Sequence, residues 1–184
     1  MPVTLTDIEL ASAYYPILID LAKKKQTVSY GELVNLAKNN NSDKAVVQNA
    51  IPVSTGRRLE VVRLFTTQKN LPDITALVVN GNAGECGDNY LAHFDAEAIR
   101  EEIYEYDWEG VSNEFNLYLS EIRPSEPRAS RSRERARTLM AEHYRDHRND
   151  YFDNIADNRE LIISQLMEGY AVEDCFEPFL RNAF

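Results

Sequence analysis

The chain has 184 residues, of which 43% are hydrophobic and 27% charged, a globular composition rather than a disordered one. No run approaches the roughly 18 apolar residues that a membrane span needs. No basic-then-apolar leader opens the chain, so the expected location is the cytoplasm, away from any membrane. The formal net charge of −10 argues against nonspecific nucleic-acid binding by the whole surface, though not by one face.

That charge is unevenly spread. Residues 1–83 carry nine Lys/Arg against seven Asp/Glu, and residues 84–122 carry one Arg against eleven acids. Residues 123–148 carry eight Arg against four acids, and residues 149–184 two Arg against eight acids. Cys86 and Cys175 lie far apart and form no CxxC pair, so both read as free thiols, with no structural metal.

In chain order, Thr6 and Glu9 have capping-box spacing, which predicts a helix from near Asp7 with Ile8, Ala11, Tyr14, Tyr15, Leu18 and Leu21 at helical period. Pro16 predicts a kink or a break there. Lys23, Lys24 and Lys25 suit a helix C-terminus, where cations offset the dipole. Thr27–Val28 is a candidate β-bridge. Ser29 and Glu32 form a second capping box for a helix from Tyr30 to about Lys38. Ser42 or Asp43 caps a third helix, Lys44 to Ile51, which Pro52 stops or kinks. Ser54 or Thr55 caps a fourth, to about Lys69, with Leu59, Val62 and Phe65 on one stripe.

Ile74 to Asn80 is rich in β-branched residues and predicts a strand; "NGNAG" then predicts a tight turn, with a short return limb over Cys86–Phe94. Helices are expected over Ala96–Tyr106, capped by Asp95, and over Asn113–Ile122. "RPSEPRASRSRE" reads as a linker that becomes helical near Arg131 and runs to about Arg148. Asn158 caps "RELIISQLMEG", Gly169 follows as a C′ residue, and "VEDCFEPFL" closes the chain as a short helix.

The expected fold is mainly α with a small β-hairpin: a winged helix-turn-helix over residues 1–93, acidic helices over 94–122, and a helical module over 123–184. A helix ending in a basic turn, then "TVSYGELVNLA", then a helix entered by "DKAVVQNAI", resembles the winged-helix domain of the DNA alkyltransferases and alkyltransferase-like proteins over roughly residues 14–80. In that family the second helix of the pair lies in the minor groove. The family's nucleophile sits in a Pro-Cys-His-Arg motif, whereas here Asp73 follows Pro72 in "LPDITALVV" with no Cys or His nearby. The resemblance therefore implies the scaffold without alkyl transfer. The ending "LPDITALVVNGNAGECG" also resembles a winged-helix variety of bacterial and phage proteins linked to defence and restriction.

Lys38, Lys44, Arg57, Arg58, Arg63 and Lys69 lie on or beside the expected recognition helices and have the chemistry to neutralise phosphates. Gln48 and Asn49 have the chemistry to reach base edges. The bland reading of all of them is a solvated helix face. Arg128, Arg131, Arg133, Arg135 and Arg137 stand near a helix N-terminus, where cations oppose the dipole, so pairing with acids is favoured over nucleic acid. The acidic segment Glu97 to Glu121 is the nearest such partner. Glu101, Glu102, Glu105, Asp107, Glu109 and Glu114 would otherwise imitate the spaced charges of a phosphate backbone, or simply confer solubility. His143 and His147, one turn apart, have zinc spacing without a third ligand. Cys86, in a turn, has no nearby His to activate it.

The sequence thus points to a non-enzymatic protein that binds double-stranded DNA through Lys38, Lys44, Gln48, Asn49, Arg57, Arg58 and Lys69. Its C-terminal helices would dimerise or recruit a partner, with Glu101, Glu102, Glu105, Asp107, Arg131 and Arg135 as contacts. The alternative is an acidic anti-defence inhibitor or adaptor that binds a host nucleic-acid-binding protein. No cofactor and no metal is expected.

Overall fold

The computed structural model describes residues 3–81, 84–125, 129–151, 155–176 and 179, without the side chains of 88 and 89. The chain separates into two compact units, Pro2–Ser125 and Glu126–Phe184, and the described residues are mainly helical with a two-stranded sheet. The acidic helices over 94–122 lie in the first unit.

The first unit is built around α1 (Leu5–Lys24), which packs against every other long helix of that unit. Leu10, Ala11, Ala13, Tyr14, Tyr15, Ile17, Leu18, Ile19 and Ala22 are all buried, so the helix is apolar nearly all round, as a central helix must be. Its narrow outer edge follows the four-residue period through Ser12, Pro16, Asp20 and Lys24. Pro16 is exposed on that edge, and α1 runs through it without a break. The capping box lies two residues earlier than expected. Thr4 Oγ1 accepts from the Asp7 N–H at 3.1 Å, and Asp7 Oδ2 accepts from Thr4 N–H at 2.9 Å and Oγ1 at 2.8 Å. Lys25 closes the helix in the left-handed region, φ 55°.

After α1 come β1 (Val28–Ser29), α2 (Tyr30–Asn40), α3 (Ala45–Gln48), a 3₁₀ turn at Pro52–Ser54, and α4 (Thr55–Gln68). The third helix is half its expected length. Pro52 disfavours the helical region for Ile51, which is extended at φ −126°, ψ 144°.

The expected strand from Ile74 is mostly a buried 3₁₀ turn, Ile74–Leu77. Asp73 Oδ1 caps it by accepting from Thr75 N–H at 3.1 Å and Thr75 Oγ1 at 2.6 Å. Only β2 (Val78–Val79) is extended, and it pairs in parallel with β1, Val28 opposite Val78 and Ser29 opposite Val79. The expected β-hairpin is thus replaced by a non-local parallel pair. The turn after it does form: Gly84 N–H donates to Asn80 O at 2.9 Å, Asn80 N–H donates to Glu85 O at 2.7 Å, and Gly84 takes φ +67°. Among the described residues the return limb is not a strand; it leads into a short helix, α5 (Asp88–Leu91). Residues 82 and 83 of the turn motif lie outside the described residues.

Two acidic helices finish the unit, α6 (Ala96–Glu105) and α7 (Val111–Glu121). Asp95 caps α6 by accepting from the Glu97 and Ala98 N–H groups. Buried Trp108 donates Nε1–H to Ile103 O at 2.9 Å and so fixes the connection between them. Phe115 of α7 meets Tyr15 of α1 and Phe65 of α4, with ring centroids at 4.0 and 5.0 Å.

The second unit comprises α8 (Arg133–His147), capped by Ser132, a 3₁₀ turn at Arg148–Asp150, α9 (Arg159–Met167) and α10 (Val172–Phe176). Its core is Ala136, Met140, Tyr151, Ile162, Ile163, Leu166, Tyr170 and Phe176. Gly169, at φ +90°, ends α9 as expected.

Because Phe115 joins three helices, Phe115→Ala should destabilise the chain by about 3–5 kcal/mol. Urea denaturation checks this. A loss below about 1 kcal/mol would show that α7 is not part of the core.

Candidate nucleic-acid interface

Local chemistry fixes α2 and α3. Ser29 Oγ accepts from Glu32 N–H at 3.2 Å, and Glu32 Oε2 accepts from Ser29 N–H at 3.1 Å and Oγ at 2.7 Å. These Ser29 bonds hold the Glu32 carboxyl below its usual range. At the other end, Asn41 Nδ2 donates to Ala37 O at 2.9 Å. Gln48 Nε2 then donates to Lys38 O at 2.8 Å and Asn41 O at 3.1 Å, which ties α3 to the end of α2. Gln48 was expected to read bases; its amide donor is committed to the backbone instead. Val47 is buried beneath it, while Lys44 and Asn49 are exposed at the two ends of α3 and Lys38 is half-buried at the end of α2.

Arg57 and Arg58 do not face solvent. Their Nε atoms lie 3.5 and 3.3 Å from Asp7 Oδ1, and the side chains of Arg57, Arg58 and Asp7 are only 7%, 2% and 3% exposed. Arg58 Nη1 also donates to Ser54 O at 3.3 Å. Both arginines therefore join the start of α4 to the start of α1, and phosphate cannot reach them. The pattern held a sign of this, because Arg58 stands four residues before Val62 and seven before Phe65, on the buried stripe. Lys69 is on the surface but paired with Glu114 at 3.4 Å. Arg63 is held by Glu60 through two hydrogen bonds, 3.0 and 2.9 Å, and lies over the Phe94 ring.

Of the expected partner-binding residues, Glu101, Glu102, Glu105 and Asp107 are exposed on or just after α6. Glu102 and Glu105 line an open groove of about 470 Å³ with Tyr106, Asn70, Leu71 and Pro72. Arg131 has an internal role instead: its Nη1 donates to Leu166 O and Tyr170 O at 2.9 and 2.7 Å, which satisfies carbonyls at the end of α9. Arg133 pairs with Glu160 on α9, an acid of its own unit. Arg135 and Arg137 are exposed, and Arg128 lies outside the described residues.

A cluster the sequence did not reveal surrounds Cys86. The buried thiol donates to Ala76 O at 3.4 Å, while Arg100 donates Nη2–H to Sγ at 3.3 Å and Nε–H to Ala76 O at 2.8 Å. Burial pushes the thiol pKa up, against the pull of Arg100. Cys86 thus stays a thiol at neutral pH and ties the loop to the 3₁₀ turn. Nearby, the Tyr90 hydroxyl donates to Asp73 Oδ2 at 2.9 Å, and burial pushes the Tyr90 pKa far up.

In the second unit, His143 Nε2 lies 2.6 Å from the Tyr151 hydroxyl, with His147 and Phe176 rings against it. Among the described residues no group of three or more His, Cys, Asp or Glu is placed to hold a metal, and no helix is long and apolar enough to cross a membrane. No family model, curated protein or solved structure matches the chain.

Burial, and then His147, hold the His143 pKa below the ordinary histidine value, while Glu173 and Asp146 pull it up less strongly. A folded-state pKa below the unfolded value of about 6.5 means this contribution is fully present above that pH and is lost as pH falls through the folded value. An NMR titration should therefore place the His143 midpoint below about 6.5, and His143→Phe should remove part of the acid-side loss of stability. A midpoint above that value would contradict the burial.

Proposed function

We propose that this chain is a non-enzymatic binding protein whose α2–turn–α3 segment acts as a helix-turn-helix on double-stranded DNA. The observation that carries the reading is the presentation of α3. Gln48 clamps it to α2, Val47 anchors it, and Lys44 and Asn49 stay exposed at its two ends with Lys38 beside them. Exposed Lys at such a helix supplies phosphate contacts, and an exposed Asn supplies a donor and acceptor for a base or sugar edge. The alkyltransferase-like winged-helix reading belongs to this proposal. The tie to bacterial and phage defence proteins enters through sequence resemblance.

The footprint is smaller than the sequence suggests, because Arg57 and Arg58 are withdrawn and Lys69 is shared with Glu114. A second reading, an acidic adaptor that binds a nucleic-acid-binding protein, draws on α6. Its carboxylates Glu101, Glu102 and Glu105 are exposed, while Arg100 is turned to Glu85, Cys86 and Ala76.

Two lysine–phosphate contacts predict a log K against log salt slope of about −2. Lys38→Ala with Lys44→Ala should flatten it toward zero, measured by fluorescence anisotropy on a labelled duplex. Absence of duplex binding at low salt would remove the DNA reading and leave the adaptor.

A further inference from the structure

The residues after α3 form an exposed apolar tip. Ile51 and Val53 are 43% and 40% exposed, and Pro52 between them is exposed as well. Leu36 on α2 is also exposed, and the Pro52–Ser54 turn and α3 both pack against α2. Isolated exposed apolar residues are ordinary; a run of three on a fixed backbone is not.

The tip is held rigidly. Pro52 fixes its own φ and keeps Ile51 extended. The Ile51 carbonyl accepts from Ser54 N–H, Ser54 Oγ and Thr55 Oγ1, each at 3.3 Å. Ser54 and Thr55 are buried, and Ser54 O accepts from Arg58, itself locked to Asp7. The tip is thus tied through Ser54 and Arg58 to Asp7 at the start of α1. A fixed backbone lets apolar side chains enter a partner with little further loss of conformational entropy.

The surroundings of the tip indicate the partner. Asn49 lies two residues before Ile51, and Lys44 and Lys38 stand on the same helix pair. Asp43 is the exposed acid beside Lys44, and Glu60 is engaged by Arg63. An apolar turn that packs on α2 together with α3, the helices that carry an exposed amide and two lysines, has the chemistry to meet stacked bases between phosphates. Proteins that unstack DNA use Ile, Leu, Met, Phe or Pro side chains in this way.

We propose that Ile51, Pro52 and Val53 form a wedge that inserts between adjacent base pairs of duplex DNA, while Lys38 and Lys44 hold the flanking phosphates. This rests on the DNA reading above. Insertion would kink the duplex at flexible pyrimidine–purine steps, so any sequence preference would come from deformability more than from base-edge hydrogen bonds.

The test uses the full chain and a duplex carrying 2-aminopurine within a run of TA steps. Wild-type protein should raise 2-aminopurine emission as the base unstacks. Ile51→Ser with Val53→Ser should abolish the rise and weaken binding about tenfold, with an unchanged salt slope. Lys44→Ala should instead lower the slope by about 0.9. Far-ultraviolet circular dichroism confirms the fold, and Val53→Ser alone serves if the double variant does not fold. Duplex binding without an emission rise would overturn the wedge and leave the interface standing. No duplex binding would overturn both. A dimer lost in the Ile51→Ser, Val53→Ser variant, with 2-aminopurine emission unchanged, would make the tip a self-association surface and also overturn the wedge.

Discussion

One carboxylate with two arginines organises the first unit. Asp7 Oδ2 holds Thr4 at the start of α1, and Asp7 Oδ1 faces the Arg57 and Arg58 guanidinium groups at the start of α4. Charges this deeply buried would each be expensive to remove from water alone, and their arrangement is tolerable only because they share partners. Removing one member leaves a buried charge without its counter-charge, a loss of about 3–5 kcal/mol in comparable pairs. Since α1 is the helix on which α2, α3, α4, α6 and α7 pack, fixing its first turn against α4 sets the frame for all of them.

That pairing also decides which cations can meet a ligand. Two of the expected phosphate contacts hold helices together, and the surface left beside α3 is a small one, Lys38 and Lys44 with Asn49. Around it the unit is acidic: residues 2–125 carry eleven Lys/Arg against eighteen Asp/Glu, a net −7. Under the DNA reading a net negative unit would weaken the approach of a duplex. Binding would then lean on shape and apolar contact as much as on charge, which is why the rigid Ile51–Val53 tip matters.

Much of the helical order was legible because its signals are local. The Ser29–Glu32 box, the Asp95 cap, Ser132 and Gly169 each act within a few residues of their own helix end. Thr6–Glu9 and Thr4–Asp7 have the same spacing, and the box forms at Thr4–Asp7, where Asp7 also faces Arg57 and Arg58. Ile74–Leu77 looked like a strand because β-branched and apolar residues serve a buried 3₁₀ turn equally well; Asp73, bonding its own backbone two residues on, was the clue. The parallel Val28–Val78 pair joins positions fifty residues apart, which no periodicity shows. Arg57, Arg58 and Gln48 are residue types that usually sit at the surface, although Arg58 falls in phase with Val62 and Phe65.

The most direct measurement is a double-mutant cycle on Asp7→Asn and Arg58→Met, with duplex affinity measured for the same proteins. A coupling free energy of about 2 kcal/mol, with the affinity of folded Arg58→Met within about twofold of wild type, is the predicted result. Effects that add to within about 0.5 kcal/mol, together with lost duplex binding in a stable Arg58→Met protein, would contradict a structural role for that arginine.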